Sequence, residues 1–254
     1  MVRPLAVRRH NEIVQRLRAV GSVSVGELAD TFGVSHETIR RDLKLLADQG
    51  HLDVVHGGAS RRGMMEPSIE QRGEENTDGK EAIARTAARM VAEGASVLID
   101  SGTTTAALSL ELVGRPGLTV ATNSLNHALT LCRVPGNRVF MLGGEVDNND
   151  EAAFGLGTAA GMDAVRVDIA FIGVGGFAED GGLTDYSTLA ADTRGRMILT
   201  GRAYLLADQT KFARRTPFRV PNMNKCAGVI VDTMPDRALA NAWTSLGLEI
   251  VQAK

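Results

Sequence analysis

Apolar positions in the first sixty residues recur at helical spacing, then give way to a short strand-like run. Ile13, Leu17 and Val20 mark one side of a helix over 8–20, with Arg9, Glu12 and Arg16 on its other sides and Gly21 at its end. Ser24-Val25-Gly26-Glu27 fits the S-x-x-E capping box and opens a second helix bearing Leu28, Ala29 and Phe32. Gly33 allows a tight turn into Ser35, a good N-cap, and Ile39, Leu43 and Leu46 stripe a third helix. The run from His51 to Gly58 predicts a strand and a hairpin tip, where Gly57-Gly58 supplies the positive φ of a two-residue turn. Three helices and a hairpin predict a winged helix-turn-helix over residues 1–60.

Residues 61–79 lose this periodicity and mix charge with Pro67, Gly73 and Gly79, which predicts a linker. A helix resumes at Lys80 with Ile83, Ala87, Met90 and Val91 inward. Beyond Gly94, apolar runs at 96–100, 118–122, 138–142, 167–174, 203–208, 227–232 and 248–251 alternate with helical patterns near 104–113, 124–132, 157–165, 187–200 and 235–246. Near-continuous apolar strands between helices predict an α/β, Rossmann-like domain over 80–254, its parallel sheet buried on both faces. Ligands of such sheets sit at the carboxyl ends of the strands.

Composition changes this picture in two places. Aromatic residues are only 4%, so the cores are expected to be Ala, Val, Leu and Ile. The net charge of -2 divides into +3 over residues 1–62 and -5 beyond, a mildly basic module joined to an acidic body. Cys132 and Cys226 have no metal-like spacing, and no stretch has the length of a membrane span. A cytoplasmic protein that needs no metal or cofactor is expected.

Candidate chemistry falls in two groups. Ser35, His36, Thr38, Arg40, Arg41 and Lys44 gather on the third helix away from its apolar stripe. A short helix with polar groups at its start and cations along it suits a DNA major groove. The second group lies at strand ends: Asp100 before Ser101-Gly102-Thr103-Thr104-Thr105, then Thr122-Asn123-Ser124, Gly143-Gly144-Glu145 and Gly173-Val174-Gly175-Gly176. Glycines let backbone amides approach a ligand, hydroxyls add donors, and helix starts favour anions; capping alone would also explain the Ser and Thr residues. Asp180, in an acidic Gly-rich loop, could accept from sugar hydroxyls or be a solvated turn. Lys211 supplies the formal cation a phosphate pocket needs, with Arg214 and Arg215 as competitors. His127 on a predicted helix reads as structural.

The chain resembles the DeoR family of bacterial sugar-metabolism transcription regulators over nearly its whole length. The resemblance rests on Arg9 to Ile13, the Thr-Ile-Arg-Arg-Asp-Leu segment within Ser35 to Leu43, His56-Gly57-Gly58-Ala59, and four stretches further on. Those are Asp100 to Thr104, Thr122 to Asn126, Gly143-Gly144-Glu145 and Lys211-Phe212. It implies a winged-helix reader joined to a ribose-5-phosphate-isomerase-like sensor that binds a phosphorylated sugar or polyol, most often releasing a repressor. By match, Gly102 to Thr104 and Thr122 to Ser124 would flank the effector, with Lys211 near its phosphate. Family members often carry Arg in the wing where this chain has Val54; Arg61 and Arg62 lie just beyond.

The expected function is therefore regulation of a sugar or polyol operon by a homo-oligomer that binds operator DNA, with no catalytic residues. Two rivals are weighed beside it. One is a sugar-phosphate isomerase or deaminase using Glu145, Asp180 or Asp185 with Lys211. The other is a nicotinamide sensor using Gly173, Gly175 and Ala178, whose G-x-G-x-x-A pattern is followed by Glu179-Asp180-Gly181-Gly182 where a helix should open.

Overall fold

A computed structural model describes residues 6–20, 22–55, 58–61, 66–212 and 214–254. The chain forms two compact units, Met1–Glu66 and Pro67–Lys254. The first contains α1 (Ala6–Val20), β1 (Ser22–Ser24), α2 (Val25–Phe32), α3 (His36–Asp48), β2 (Leu52–Val55) and β3 (Gly58–Arg61). The capping box forms at α2, where the Glu27 amide donates to Ser24 Oγ at 3.1 Å. Gly33 closes that helix in the left-handed region, φ 63°. Ile13, Leu17, Leu28, Phe32, Ile39, Leu43 and Leu52 make one core.

Two details differ from the sequence reading. Ser22–Ser24 is a strand as well as a cap, giving an antiparallel wing in the order β1-β3-β2. Gly58 does not supply a positive φ. It is needed because a Cβ there would lie 2.1 Å from the Val23 carbonyl oxygen across the β1–β3 pair. His56, Gly57 and Arg62 lie outside the described residues.

The second unit begins earlier than the expected 80. Within the segment read as a linker, Ser68 caps α4 (Ile69–Glu74) through a full capping box, and α5 (Thr77–Arg89) follows. Arg72 is buried and donates to Asp150 at 2.6 Å, so an ion pair in the body fixes a stretch whose polarity suggested solvent. There follow β4 (Ser96–Ile99), α6 (Thr103–Glu111), β5 (Thr119–Thr122), α7 (Leu125–Leu131), β6 (Arg138–Met141), β7 (Glu145–Asp147), β8 (Ala152–Phe154), α8 (Leu156–Asp163) and β9 (Ile169–Ile172). Then come β10 (Gly176–Phe177), β11 (Leu183–Asp185), α9 (Thr188–Met197), β12 (Arg202–Ala207), β13 (Phe218–Arg219), β14 (Gly228–Val231), α10 (Arg237–Ser245) and β15 (Glu249–Gln252).

Seven strands form one parallel sheet in the order β15-β14-β12-β9-β4-β5-β6. The chain starts in the middle at β4, runs out to β6, then returns to β9 and runs the other way. That reversal is a topological switch point, the place at which open parallel sheets generally bind their ligands. Side chains at alternate positions feed two cores. One face packs Val97, Ile99 and Phe171 against α5, α6 and α7 through Ile83, Leu108 and Leu131. The other packs Leu98, Ala170 and Leu205 against α8, α9 and α10 through Met162, Ala191 and Trp243. Two small sheets, β7-β8 and β10-β11-β13, lie outside the seven strands and were not anticipated as strands.

Candidate DNA-reading helix and effector site

The amide of Thr38 donates to Ser35 Oγ at 3.2 Å, and the two hydroxyls lie 2.9 Å apart, so this pair closes the start of α3. His36, Arg40, Arg41 and Lys44 are exposed, while Ile39, Leu43 and Leu46 face the core. Arg41 rests on Glu37 at 3.3 Å, an exposed i,i+4 pair that a stronger anion can displace. The back of α3 holds a pair the sequence reading missed. Arg9, taken there as a surface residue, is buried and donates to Asp42 at 2.5 and 3.0 Å, and His10 lies 2.8 Å from the same carboxylate. Burial works against charge on Asp42, but the bonds from Arg9 and His10 outweigh it and hold the carboxyl below its ordinary range. The pair ties α3 to α1 from behind and leaves the cationic face open. Val54 of the wing is exposed.

The strand-end residues separate into those that hold loops and those that remain open. Asp100 is fully buried at the switch point, where Oδ2 accepts from the Gly173 amide at 3.0 Å and from Arg194 Nε at 2.8 Å. Arg194 also bonds Asp185, so one guanidinium joins two buried carboxylates from β11 and the end of β4. Burial pushes the Asp100 carboxyl up, and Arg194 pulls it back. Asn123, also fully buried, accepts from the Ser101 amide at 3.0 Å and donates to the Ala153 carbonyl at 3.2 Å. Thr122 Oγ1 accepts from the Ser124 amide, and Ser124 in turn caps α7. Asp100, Thr122, Asn123 and Ser124 thus brace the rim from beneath.

The loop they brace is Gly102-Thr103. Gly102 stands at the N-cap of α6 with φ 126°, a conformation that favours glycine, and gives that helix no side-chain cap. Thr103 is half-buried and Thr104 buried. His127 is buried against the carbonyls of Gly102 and Asp100; burial, partly offset by those carbonyls, lowers its pKa to about 4. Its ring is therefore neutral at neutral pH.

Four expected positions stand apart from that loop. Gly144 is exposed, but a Cβ there would lie 2.3 Å from the Phe154 carbonyl oxygen, so it serves the packing of the β7-β8 hairpin. Neighbouring Glu145 is exposed on β7. Gly175 is buried, where a Cβ would meet the Thr184 carbonyl oxygen at 2.8 Å. Asp180 is exposed in the β10-β11 turn and bonds Arg219 at 2.6 Å, which lowers its pKa. The residues after Gly173-Val174-Gly175 enter strand β10 and not a helix, so the dinucleotide pattern lacks its structural context.

Lys211 closes a single 3-10 turn after β12. It is 7% exposed, and among the described residues its ammonium makes no hydrogen bond or ion pair. Burial lowers its pKa to about 8, Arg214 adding repulsion against the attraction of Asp208 and Glu75. Around it Asp208 Oδ2, Thr210 Oγ1 and Arg214 Nη1 are buried without partners. Arg214 is otherwise held by Glu75, both oxygens at 2.9 Å, and Arg215 pairs with Glu179 at the surface. Lys80, read only as a helix start, is buried and donates to the carbonyls of Arg72 and Glu75. Asn76 bonds Asp232 at 2.8 Å and Asp208 at 3.4 Å. The sequence carried no local signal for Lys80, Asn76 or Arg194, because their partners come from other elements. Among the described residues no cluster could hold a metal ion, and no helix is long and apolar enough to cross a membrane.

A helix-turn-helix unit with a cationic outer helix, joined in one chain to a parallel α/β unit with an open rim, defines a DNA-binding regulator with a sensor domain. The match to known families agrees: residues 9–62 fit the DeoR-like helix-turn-helix domain and residues 75–233 the DeoR C terminal sensor domain. The chain belongs to the DeoR family and is a transcription regulator. It is 31% identical to the glycerol-3-phosphate regulon repressor of Escherichia coli (strain K12), over 96% of this chain and 97% of that one. It is 29% identical to the HTH-type transcriptional repressor CsqR of the same strain, over 96% and 94%. Among solved structures, ribose 5-phosphate isomerase A of Methanocaldococcus jannaschii overlays 56% of each chain at 18% identity with a TM-score of 0.41, too loose to carry an inference.

Proposed function

We propose that this protein is a cytoplasmic repressor of a sugar or polyol catabolic operon, released by a phosphorylated sugar or polyol bound at the rim of the sensor sheet. On this reading His36 and Thr38 tune sequence at the start of α3, Arg40, Arg41 and Lys44 contact phosphates and base edges, and Ser35 fixes the helix start. In the sensor, the open start of α6 at Gly102, Thr103 and Thr104 and the cation of Lys211 receive the phosphorylated ligand. Asp100, Thr122, Asn123 and Ser124 shape that rim from below. Gly144, Gly175 and Asp180 are left outside the contact set because packing or surface pairing already accounts for them, and Glu145 because it is exposed on β7.

One observation carries the reading: a nine-tenths buried lysine without a partner, at the carboxyl end of a strand two places from the switch point. Burial penalises its charge more than the attraction of Asp208 and Glu75 offsets, and an anion beside it removes that cost. The relative named as the glycerol-3-phosphate regulon repressor supports the sign and the ligand class. Thermal-shift screening of the full chain against sugar and polyol phosphates, glycerol 3-phosphate first, tests it, since selective binding raises Tm by mass action. A ligand that raises Tm should also weaken binding to the promoter duplex, and Lys211→Ala should keep operator affinity while losing the response. A Lys211→Ala protein that responds normally removes this residue from the site.

A further inference from the structure

The outer edge of the parallel sheet is built to be covered. β6 pairs with β5 on one side only. The amides of Arg138 and Leu142 donate inward to the carbonyls of Leu118 and Thr122. By the alternation of a strand, Val139 and Met141 present their N–H and C=O groups to the open side. An unprotected edge of this kind pairs readily with another strand. Beyond Arg138 its exposed side chains are apolar where an edge exposed to water is usually charged: Phe140 is 47% and Met141 38% exposed. α7, packed beside β6, turns Leu125 and Leu129 outward at i,i+4 spacing, with Leu129 52% exposed. The opposite edge strand, β15, exposes Glu249 and Gln252 instead.

We infer that β6 is the surface through which two copies of this chain associate, pairing antiparallel about a two-fold axis at Phe140. Centred there, Val139 of one copy and Met141 of the other exchange both main-chain hydrogen bonds, and the two Phe140 rings become direct cross-strand neighbours. Charge selects this occupant and direction. Arg138 opens the strand and Glu145 and Asp147 follow its end, all exposed. Antiparallel pairing carries the cationic start of each copy toward the anionic end of the other, whereas parallel pairing would set like charges together. The patch is thus complementary to itself, as a closed two-fold interface requires.

The interface stands on the sheet edge. That operator binding depends on it rests on the proposed function, because helix-turn-helix readers engage two half-sites as dimers. Sedimentation equilibrium of the full chain at micromolar concentration tests the first point, and operator binding the second. The wild type should sediment as a dimer or an even multiple. Phe140→Lys should weaken association about tenfold or more. Arg138→Glu should weaken it also, and Arg138→Glu with Glu145→Arg should restore it, an outcome that loss of folding cannot imitate. A monomeric wild type, or association unchanged in both single variants, overturns the interface. Intact association in a protein that ignores its own promoter would leave the interface standing and sink the function.

Discussion

Lys211, His127 and Asp42 are the residues through which pH should reach this protein, each with its own sign. The folded pKa of Lys211 is lowered to about 8 from 10.5, chiefly by burial. A phosphate beside it favours the charged form, so binding takes up a proton and affinity should fall as pH rises above about 8, by up to about tenfold per unit. Calorimetric titration across that range checks this; Lys211→Met should flatten the profile. His127 is also lowered, to about 4 from 6.5, again by burial. The unfolded chain then binds more protons between those values. Stability is complete above pH 6.5 and is lost as pH falls toward 4, on the order of 3 kcal/mol in all. Acid melts of wild type against His127→Gln measure it. Asp42 contributes in the ordinary carboxylate direction, its stabilisation present above 3.8 and lost as pH falls through its lowered folded pKa. Removing it by Asp42→Ala would take away the buried carboxylate that Arg9 and His10 bond and should cost about 3 kcal/mol in a urea melt.

At the scale of the element, α3 shows how one helix serves two masters. Its inner face is fixed by Ile39, Leu43 and Leu46 and by the Arg9–Asp42 pair, which leaves the outer cations free of structural duties except for the Arg41–Glu37 contact. Arg41→Ala should therefore leave the fold intact, weaken operator binding and lower the slope of log K against log salt by about 0.9. Filter binding at several salt concentrations measures this, and an unchanged slope removes Arg41 from the phosphate contacts. The caps that start α2 and α3 were readable in the sequence because a cap is a local event, one hydroxyl and one amide three residues on. At Ser124 and Thr122 a capping function and a ligand function look identical in sequence. The hairpins β7-β8 and β10-β11 were not legible because their two- and three-residue strands are too short to show a period.

For the whole molecule, the proposed function makes effector and operator coupled ligands. The factor by which effector lowers operator affinity must equal the factor by which operator lowers effector affinity, a coupling of ~1–3 kcal/mol in typical cases. Measuring each affinity with and without the other checks that reciprocity, and failure of the two factors to agree would mean a second site.

The alternation of apolar runs and helical stretches determined that the chain has a helix-turn-helix front and a parallel α/β body, because periodicity and caps act within a few residues of each other. The sequence also placed the motif residues on the rim. Only the tertiary structure decided which of them are held by neighbouring groups. Arg9 meets Asp42 across 33 positions and Arg194 meets Asp100 across 94, and such pairings have no local trace. Whether a charged side chain braces a loop or waits for a partner depends on what folds over it, so Asp100 became a brace and Lys211 stayed unpaired.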